Sequence, residues 1–483
     1  MYCGLDFGTT NSALAYFDNQ QLAFAELNAG CSSIPTAAWL HRKDGKIADI
    51  TEREITEIYN QRFRAATTGS QGALQKRRDD IRNQLMAARL RDQKLEVDEV
   101  GISSADFEQT IYVGHDALEM HNSDHQGVLV KSPKAALGGL LNPQLSQHFA
   151  TIIGTMIAAY KSNAEANIGQ ELDCVVIGRP VNWGIKPNPL VNKRALELMH
   201  NAAEDAGFKH VEFQYEPVAA AYDYEQSLNK EQTTLVVDVG GGTTDMVMMR
   251  LGGDRSGSKS DKHDRSSDIL AAHGTRVGGM DLDISLALNR LGRLFGKEYR
   301  DAQGNTVTSI VHDYQSAMMD AFRVNDLPAI RRFLSHQDRL VTNLGNASGE
   351  RYDALLRIFN LYQNSGNTGV VMAAEKAKIA LSTKAETKAE LQFIESELAM
   401  LLTKQDLVEA IHYPAMSIKR AIKEVLTSAK TQPQSLIVTG GGASSPALFE
   451  LLGLDEYRDI LAPTDMLLGV GKGLAISSQQ VFA

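Results

Sequence analysis

The chain of 483 residues is 43% hydrophobic and 22% charged with a formal charge of −10, which excludes a disordered or collagen-like polymer and, at this length, predicts more than one core. The acidic balance argues against bulk nucleic-acid binding, which depends on Lys and Arg neutralising phosphates. No run of about 18 apolar residues and no basic-then-apolar leader at Met1 to Asp6 occur, and three cysteines (Cys3, Cys31, Cys174) lack C-x-x-C spacing, so a cytoplasmic protein with no membrane span is expected.

In chain order, Tyr2 to Phe17 reads as strand, Gly/Thr/Asn turn and strand, with Asp6 closing the first strand. Thr51 to Leu95 is polar and helix-favouring, with Leu74, Ile81 and Leu85 on a narrow stripe. Within it, Gln61 to Lys94 holds nine Lys or Arg against three Asp or Glu, a solvated face or a docking surface for an acidic partner. Asp173 to Gly178 reads as a buried strand, and Asn192 to Gly207 as a helix ending at its glycine. Thr234 to Met249 repeats the opening pattern, with Asp238 at the position of Asp6, 232 residues on. Two homologous halves facing one another follow from so long a spacing, since a solenoid repeats at a much shorter period.

Gly252 to Lys262 reads as a polar hairpin tip, and Ile284 to Leu361 as a second helix-rich insertion. Leu407, Ile411, Ile418, Ile422 and Val425 keep helical period behind a Thr403–Asp406 cap. The strand Ser435 to Thr439 then runs into Gly440-Gly441-Gly442.

A carboxylate at a strand end before a Gly/Thr turn suits a metal-bound polyphosphate. Glycines let backbone N–H groups approach the oxygens, hydroxyls add donors, and the carboxylate holds the cation or its waters. D-F-G-T-T-N-S and D-V-G-G-G-T-T-D, half a chain apart, would clamp a phosphate chain from both sides. Ordinary turns between core strands would give no reason for an acid at each mouth. The histidines show no metal spacing.

At these residues the sequence resembles the nucleotide-binding half of the 70-kDa heat-shock chaperones, in the actin/hexokinase-like ATPase superfamily. The likeness also rests on Ser132 to Gly138 (S-P-K-A-A-L-G), Glu216 to Ala221 (E-P-V-A-A-A), Glu375 to Ser382 (E-K-A-K-I-A-L-S) and Gly440 to Pro446 (G-G-G-A-S-S-P), all in the family's order. It implies a two-lobed α/β actin-like fold, a ribonuclease H-like motif used twice on mixed five-stranded sheets, with helical insertions near 51–110 and 284–395. Lobe I would span residues 1–230 and lobe II residues 231–483, with the C-terminal helix returning to lobe I.

By the same resemblance, Asp6 and Asp238 hold Mg²⁺ through its water shell. Gly8, Thr9, Thr10, Asn11 and Gly240, Gly241 and Gly242 cradle the phosphates of ATP or ADP. Lys134 contacts the γ-phosphate and the attacking water, and Glu216, Asp238, Thr243 and Asp245 orient or deprotonate that water. Adenosine lies among Glu375, Lys378, Ser382, Gly440, Gly441, Gly442 and Ser444, with Gly279 nearby. Plainer roles stand beside these: Glu216 as a helix-start carboxylate, Glu375 with Lys378 as a surface pair three apart, Asp281 and Asp283 as caps.

Ser444 and Ile379 stand where the family has arginines, which implies adenosine affinity weaker by about 0.5–2 kcal/mol. With the sequence ending at Ala483, the family's peptide-binding β-sandwich is not expected. A monomeric, slow Mg-dependent ATPase whose conformation an unidentified protein client or co-factor reads is therefore expected. A small-molecule kinase, an actin-like filament protein and a scaffold that binds nucleotide without turnover are the alternatives.

Overall fold

The computed structural model describes residues 1–28, 30–41, 51–63, 78, 81–82, 85, 110–123, 127–139, 143–184, 187–252, 265–300, 304, 344, 347–363 and 367–483. The predicted basic stretch 61–94, the polar tip 252–262 and the middle of the second insertion lie largely outside them. Of the predicted stripe, Leu74 lies outside, while Ile81 is buried.

The first half is built on β1 (Tyr2–Phe7) and β2 (Asn11–Asp18), antiparallel with Cys3 opposite Tyr16 and Phe7 opposite Ser12. The short strands β3 (Gln21–Phe24) and β4 (Ser33–Pro35) pair with β2. A small sheet joins β5 (Ala37–His41), β6 (Ile111–Val113) and β7 (Gly127–Lys131), with β5 in the middle. Helices α1 (Glu52–Phe63) and α2 (His115–Ser123) are set between these strands in sequence.

From β7 the chain enters the single turn α3 (Pro133–Ala136) and then α4 (Pro143–Ile168). Next come β8 (Cys174–Arg179), α5 (Pro189–Asp205) and β9 (His210–Tyr215), with β8 parallel to β1 and β9 parallel to β8. β1 is buried almost throughout, as a central strand covered on both faces must be. Its core joins Leu5 and Leu14 to Phe149 and Ile153 of α4 and Met199 of α5. α5 starts three residues before the predicted Asn192, because the Asn188 side chain accepts from the N–H groups of Leu190 and Val191 and Pro189 opens the helix.

After α6 (Glu216–Glu225), the second half repeats the hairpin in β10 (Gln232–Val239) and β11 (Thr244–Leu251). β12 (Ile269–Thr275) pairs with β11. Helices α7 (Gly279–Asn289), α8 (Gly349–Gln363) and α9 (Asn367–Leu381) follow, then the hairpin β13 (Glu386–Glu390) and β14 (Ala399–Thr403). α10 (Lys404–Ala429) begins at the predicted Thr403–Asp406 cap and buries all five predicted apolar positions. β15 (Ser435–Thr439) lies parallel to β10, and α11 (Pro446–Leu452) and α12 (Gly469–Phe482) complete the chain.

The first sheet has five strands in the order β3-β2-β1-β8-β9, with β4 added beside β2. The second differs from the expected five: among the described residues its order is β12-β11-β10-β15. Where a fifth strand would extend it, one parallel bridge joins Leu436 to Leu461, and Ala462 N–H donates to Leu436 O at 2.8 Å.

Two helices exchange sides. α6 leaves the first sheet yet packs on β10 and β11, while α12 leaves the second half and packs on β1, β8 and α6. Their shared core includes Val218, Ala221, Val236, Ile437 and Leu474. α12 touches both α6 and β1 backbone to backbone: a Cβ on Gly473 would lie 1.7 Å from Ala219 O of α6, and one on Gly4 of β1 would lie 2.3 Å from Ala475 N. Arg265 pairs with Glu225 at 2.8 Å and Asp268 at 2.7 Å, all three buried, fixing the end of α6 beside β12. Among the described residues no helix is long and apolar enough to cross a membrane.

Candidate nucleotide site

The two hairpin turns meet. A Cβ on Gly241 would lie 1.8 Å from Thr10 Oγ1, and one on Gly242 would lie 2.9 Å from Thr9 Cγ2. Only turns without side chains on the second hairpin allow so close an approach. In the first turn the chain folds back on itself, so that a Cβ on Gly8 would strike Asn11 O at 2.3 Å. Asn11 itself is exposed at the start of β2.

Asp6 and Asp238 end the central strands of the two sheets, and Asp245 faces Asp238 across the second hairpin. Lys134 is brought in by β7 through Ser132, whose φ of +57° is uncommon for serine and turns the chain sharply into α3. Its ammonium is buried, donating to Glu216 Oε1 at 2.5 Å and Gly178 O at 3.1 Å. Glu216 is the first residue of α6 and belongs to the same first-half wall as Gly178. It is thus both a helix-start carboxylate and a member of this cluster.

Four carboxylates, Asp6, Glu216, Asp238 and Asp245, therefore surround one ammonium. Burial first, then the Glu216 charge, pushes Asp6 up to about 7, with Lys134 opposing. Burial and Glu216 likewise push Asp245 up to about 7, against hydrogen bonds from Val181 N–H and Thr243. Asp238 is raised well above its ordinary value by burial and then by Glu216, Asp245 and Asp6. Such a negative, all-oxygen set suits a hard cation. Among the described residues no three or more His, Cys, Asp or Glu are arranged to grip an ion directly. These carboxylates could hold a hydrated cation such as Mg²⁺ through its water shell.

A pH dependence follows. A carboxyl raised in the fold from 3.8 to about 7, as Asp6 and Asp245 are, binds its proton more tightly folded than unfolded. It stabilises the fold fully below 3.8 and loses that contribution as pH rises through about 7. The nucleotide-free protein should lose thermal stability from pH 4 to pH 8, and Mg–ADP should flatten that decline. Melting curves across the range with and without Mg–ADP test this; a nucleotide-free curve that is flat or rises would contradict it.

Beside the phosphate turns, Gly279 N–H donates to Gly240 O at 2.8 Å and Met280 N–H to Gly241 O at 2.7 Å, bracing the second turn on α7. Asp281 caps α7, accepting from Gly278 N–H at 2.8 Å. Asp283 does not cap: it pairs with Lys378 at 2.8 Å, and Lys378 also donates to Gly279 O at 3.3 Å. Lys378 thus reaches a buried partner on α7 rather than its sequence neighbour Glu375. Burial pushes Asp283 up to about 6, with Lys378 opposing and Glu375 adding to the rise.

Gly440 holds φ +88°, and a Cβ there would lie 2.7 Å from Asp238 Oδ1, so its loop seats directly on the second carboxylate. Gly442 packs on Val239. Ser444 is exposed with its hydroxyl donating to Gly441 O at 2.9 Å, and Ser382 bonds back to Lys378 O at 3.4 Å. Glu375 is half-buried, and Ile379 on the same helix is 60% exposed. The predicted phosphate residues are thus gathered tightly, and the predicted adenosine contacts form a looser rim.

A small pocket opens beside the Lys134–Glu216 pair, lined also by Thr9, Thr243, Trp183 and Arg276. Trp183 and Arg276 escape the motif reading. Arg276 directly precedes Val277-Gly278-Gly279, and a lone basic residue between a strand end and those glycines is the signal that could have found it.

The MreB/Mbl protein family matches residues 102–258. The chaperone protein DnaK of Endomicrobium trichonymphae is 24% identical over 297 residues, 59% of this chain and 36% of that protein. DnaK of Elusimicrobium minutum is 23% identical over 329 residues, 66% and 41% of the two chains. DnaK of Thermus thermophilus is 24% identical over 314 residues, 62% and 38%. The family match and these relatives support an actin-like ATPase superfamily fold for this chain. The chain spans about two fifths of the length of these DnaK relatives, and the actin-like fold accounts for its paired hairpins and crossed helices.

Proposed function

We propose that this actin-like ATPase chain is a slow, Mg-dependent, heat-shock-70-like switch, in which ATP and water become ADP and phosphate and a protein partner reads the nucleotide state. The observation that carries this reading is the direct approach of the two phosphate turns, Thr10 against Gly241, with Asp6 and Asp238 behind them. A triphosphate between them would contact both halves, and loss of its terminal group would release some of those contacts, which ties the cleft angle to the nucleotide.

Lys134 would stabilise charge on the terminal phosphoryl group, and Glu216 with Asp245 and Thr243 would orient the attacking water and take its proton. Mg²⁺, held by Asp6 and Asp238 through water, would neutralise charge on the phosphate chain. Single-turnover hydrolysis on the purified chain tests the chemistry, and no cleavage would leave only a nucleotide-binding scaffold. For the switch, recovery of partners from lysate in ATP and in ADP is compared between the chain and Asp238→Asn. Partners that come down in one nucleotide and are lost in the variant support it; equal recovery throughout overturns it.

A second reading draws on the MreB/Mbl match, which covers the phosphate-turn region of the second half. An actin-like filament would sediment with ATP and not with ADP. The large insertions should obstruct head-to-tail stacking, so the chain is expected to remain in the supernatant.

A further inference from the structure

The pocket beside Lys134 contains two cations in different electrical states. Lys134 is spoken for: Glu216 pairs with it and Gly178 O accepts from it, both within the first half. Arg276 is not. It projects from the end of β12 in the second half, and its Nη2 donates to Ala135 O at 3.0 Å, in the α3 turn that carries Lys134. Another guanidinium nitrogen lies against Gly138, 3.4 Å from where a Cβ would sit. Burial alone perturbs its charge, with no carboxylate counter-ion contributing among the described residues. A half-buried guanidinium whose hydrogen-bond acceptor among the described residues is a neutral carbonyl keeps donors for an anion, and its planar fork suits a phosphate.

The rest of the lining fits the same ligand. Thr9 and Thr243 offer hydroxyls, and Trp183 walls the pocket with its indole 5.8 Å from the Lys134 ammonium. We propose that Arg276 is the second half's binding residue for the terminal phosphate: it holds that group while ATP is intact and retains orthophosphate in the pocket beside ADP after cleavage. This rests on the ATP site proposed above. Its consequence is specific: Lys134 marks the phosphate within one half, whereas Arg276 bridges the phosphate to the other half, so the pocket empties when the halves part.

The test titrates inorganic phosphate into the ADP-saturated full chain, read by calorimetry and by tryptophan fluorescence. The chain has two tryptophans, and Trp183 lines the pocket. Arg276→Gln should weaken phosphate binding about tenfold or more while ADP affinity stays within about twofold, and Arg276→Lys should recover part of the loss. Unchanged phosphate affinity in Arg276→Gln, with ADP binding intact, overturns the inference and leaves the ATP site standing. Failure of the unaltered chain to bind ADP overturns the ATP site and the inference with it.

Discussion

Asp238→Asn should make the nucleotide-free protein harder to melt above pH 7 while lowering ATP hydrolysis by about 100-fold or more. Asp238 is buried beside Glu216, Asp245 and Asp6, and their charges all push its carboxyl up. Removing one negative charge from a group of four around a single ammonium relieves repulsion that the fold otherwise bears. The same change takes away a carboxylate proposed to hold hydrated Mg²⁺, so the rise in melting temperature expected with Mg–ADP in the unaltered chain should be lost. Thermal melts with and without Mg–ADP, beside a single-turnover assay, check both halves of the expectation. A variant that melts earlier yet hydrolyses at the original rate would remove Asp238 from the site. Lys134→Ala is the harsher change: it strands Glu216 in a buried pair and should cost about 3–5 kcal/mol, confounding turnover with stability.

Gly473→Val is expected to be the most destabilising single change at the crossing of α6 and α12. A Cβ at Gly473 would sit 1.7 Å from Ala219 O, with the Ala219 carbonyl carbon at 2.3 Å. The obstacle is backbone in a helix that is itself packed on the second sheet, so no rotamer change relieves it. Overpacking of this kind costs about 3 kcal/mol or more. Gly169 is the control: it has φ +76° and nothing within 4 Å of the place an added Cβ would take, so Gly169→Ala should cost only about 1–2 kcal/mol of backbone strain. Urea unfolding of the two variants ranks them, and an equal or smaller loss for Gly473→Val would mean that the helices separate without penalty.

Both Gly/Thr hairpins were legible because strand alternation and Gly/Thr turns are local signals, and Asp6 and Asp238 fell where those signals end. α10 was legible for the same reason: its cap and its apolar period lie in one stretch of chain. What escaped reading depends on distance in sequence. Lys378 has Glu375 three residues away, yet its partner is Asp283 on another helix. Arg276 gains meaning only when the second sheet delivers it to the α3 turn. Among the described residues the expected fifth strand of the second sheet is reduced to a single bridge between Leu436 and Leu461, a pairing that no local pattern in the sequence marks. The start of α5 was displaced by Asn188 and Pro189, whose capping geometry outweighed the apolar pattern beginning at Asn192.

The exchange of helices between halves has a consequence for how this chain is made. α12 covers β1 and β8, so β1 leaves the ribosome long before its cover, which follows almost the whole described sequence later. Until then one face of the first sheet is left bare during synthesis, and its burial must await a contact of very high sequence separation. Such topology folds slowly and offers sticky intermediates to whatever binds nascent apolar surface.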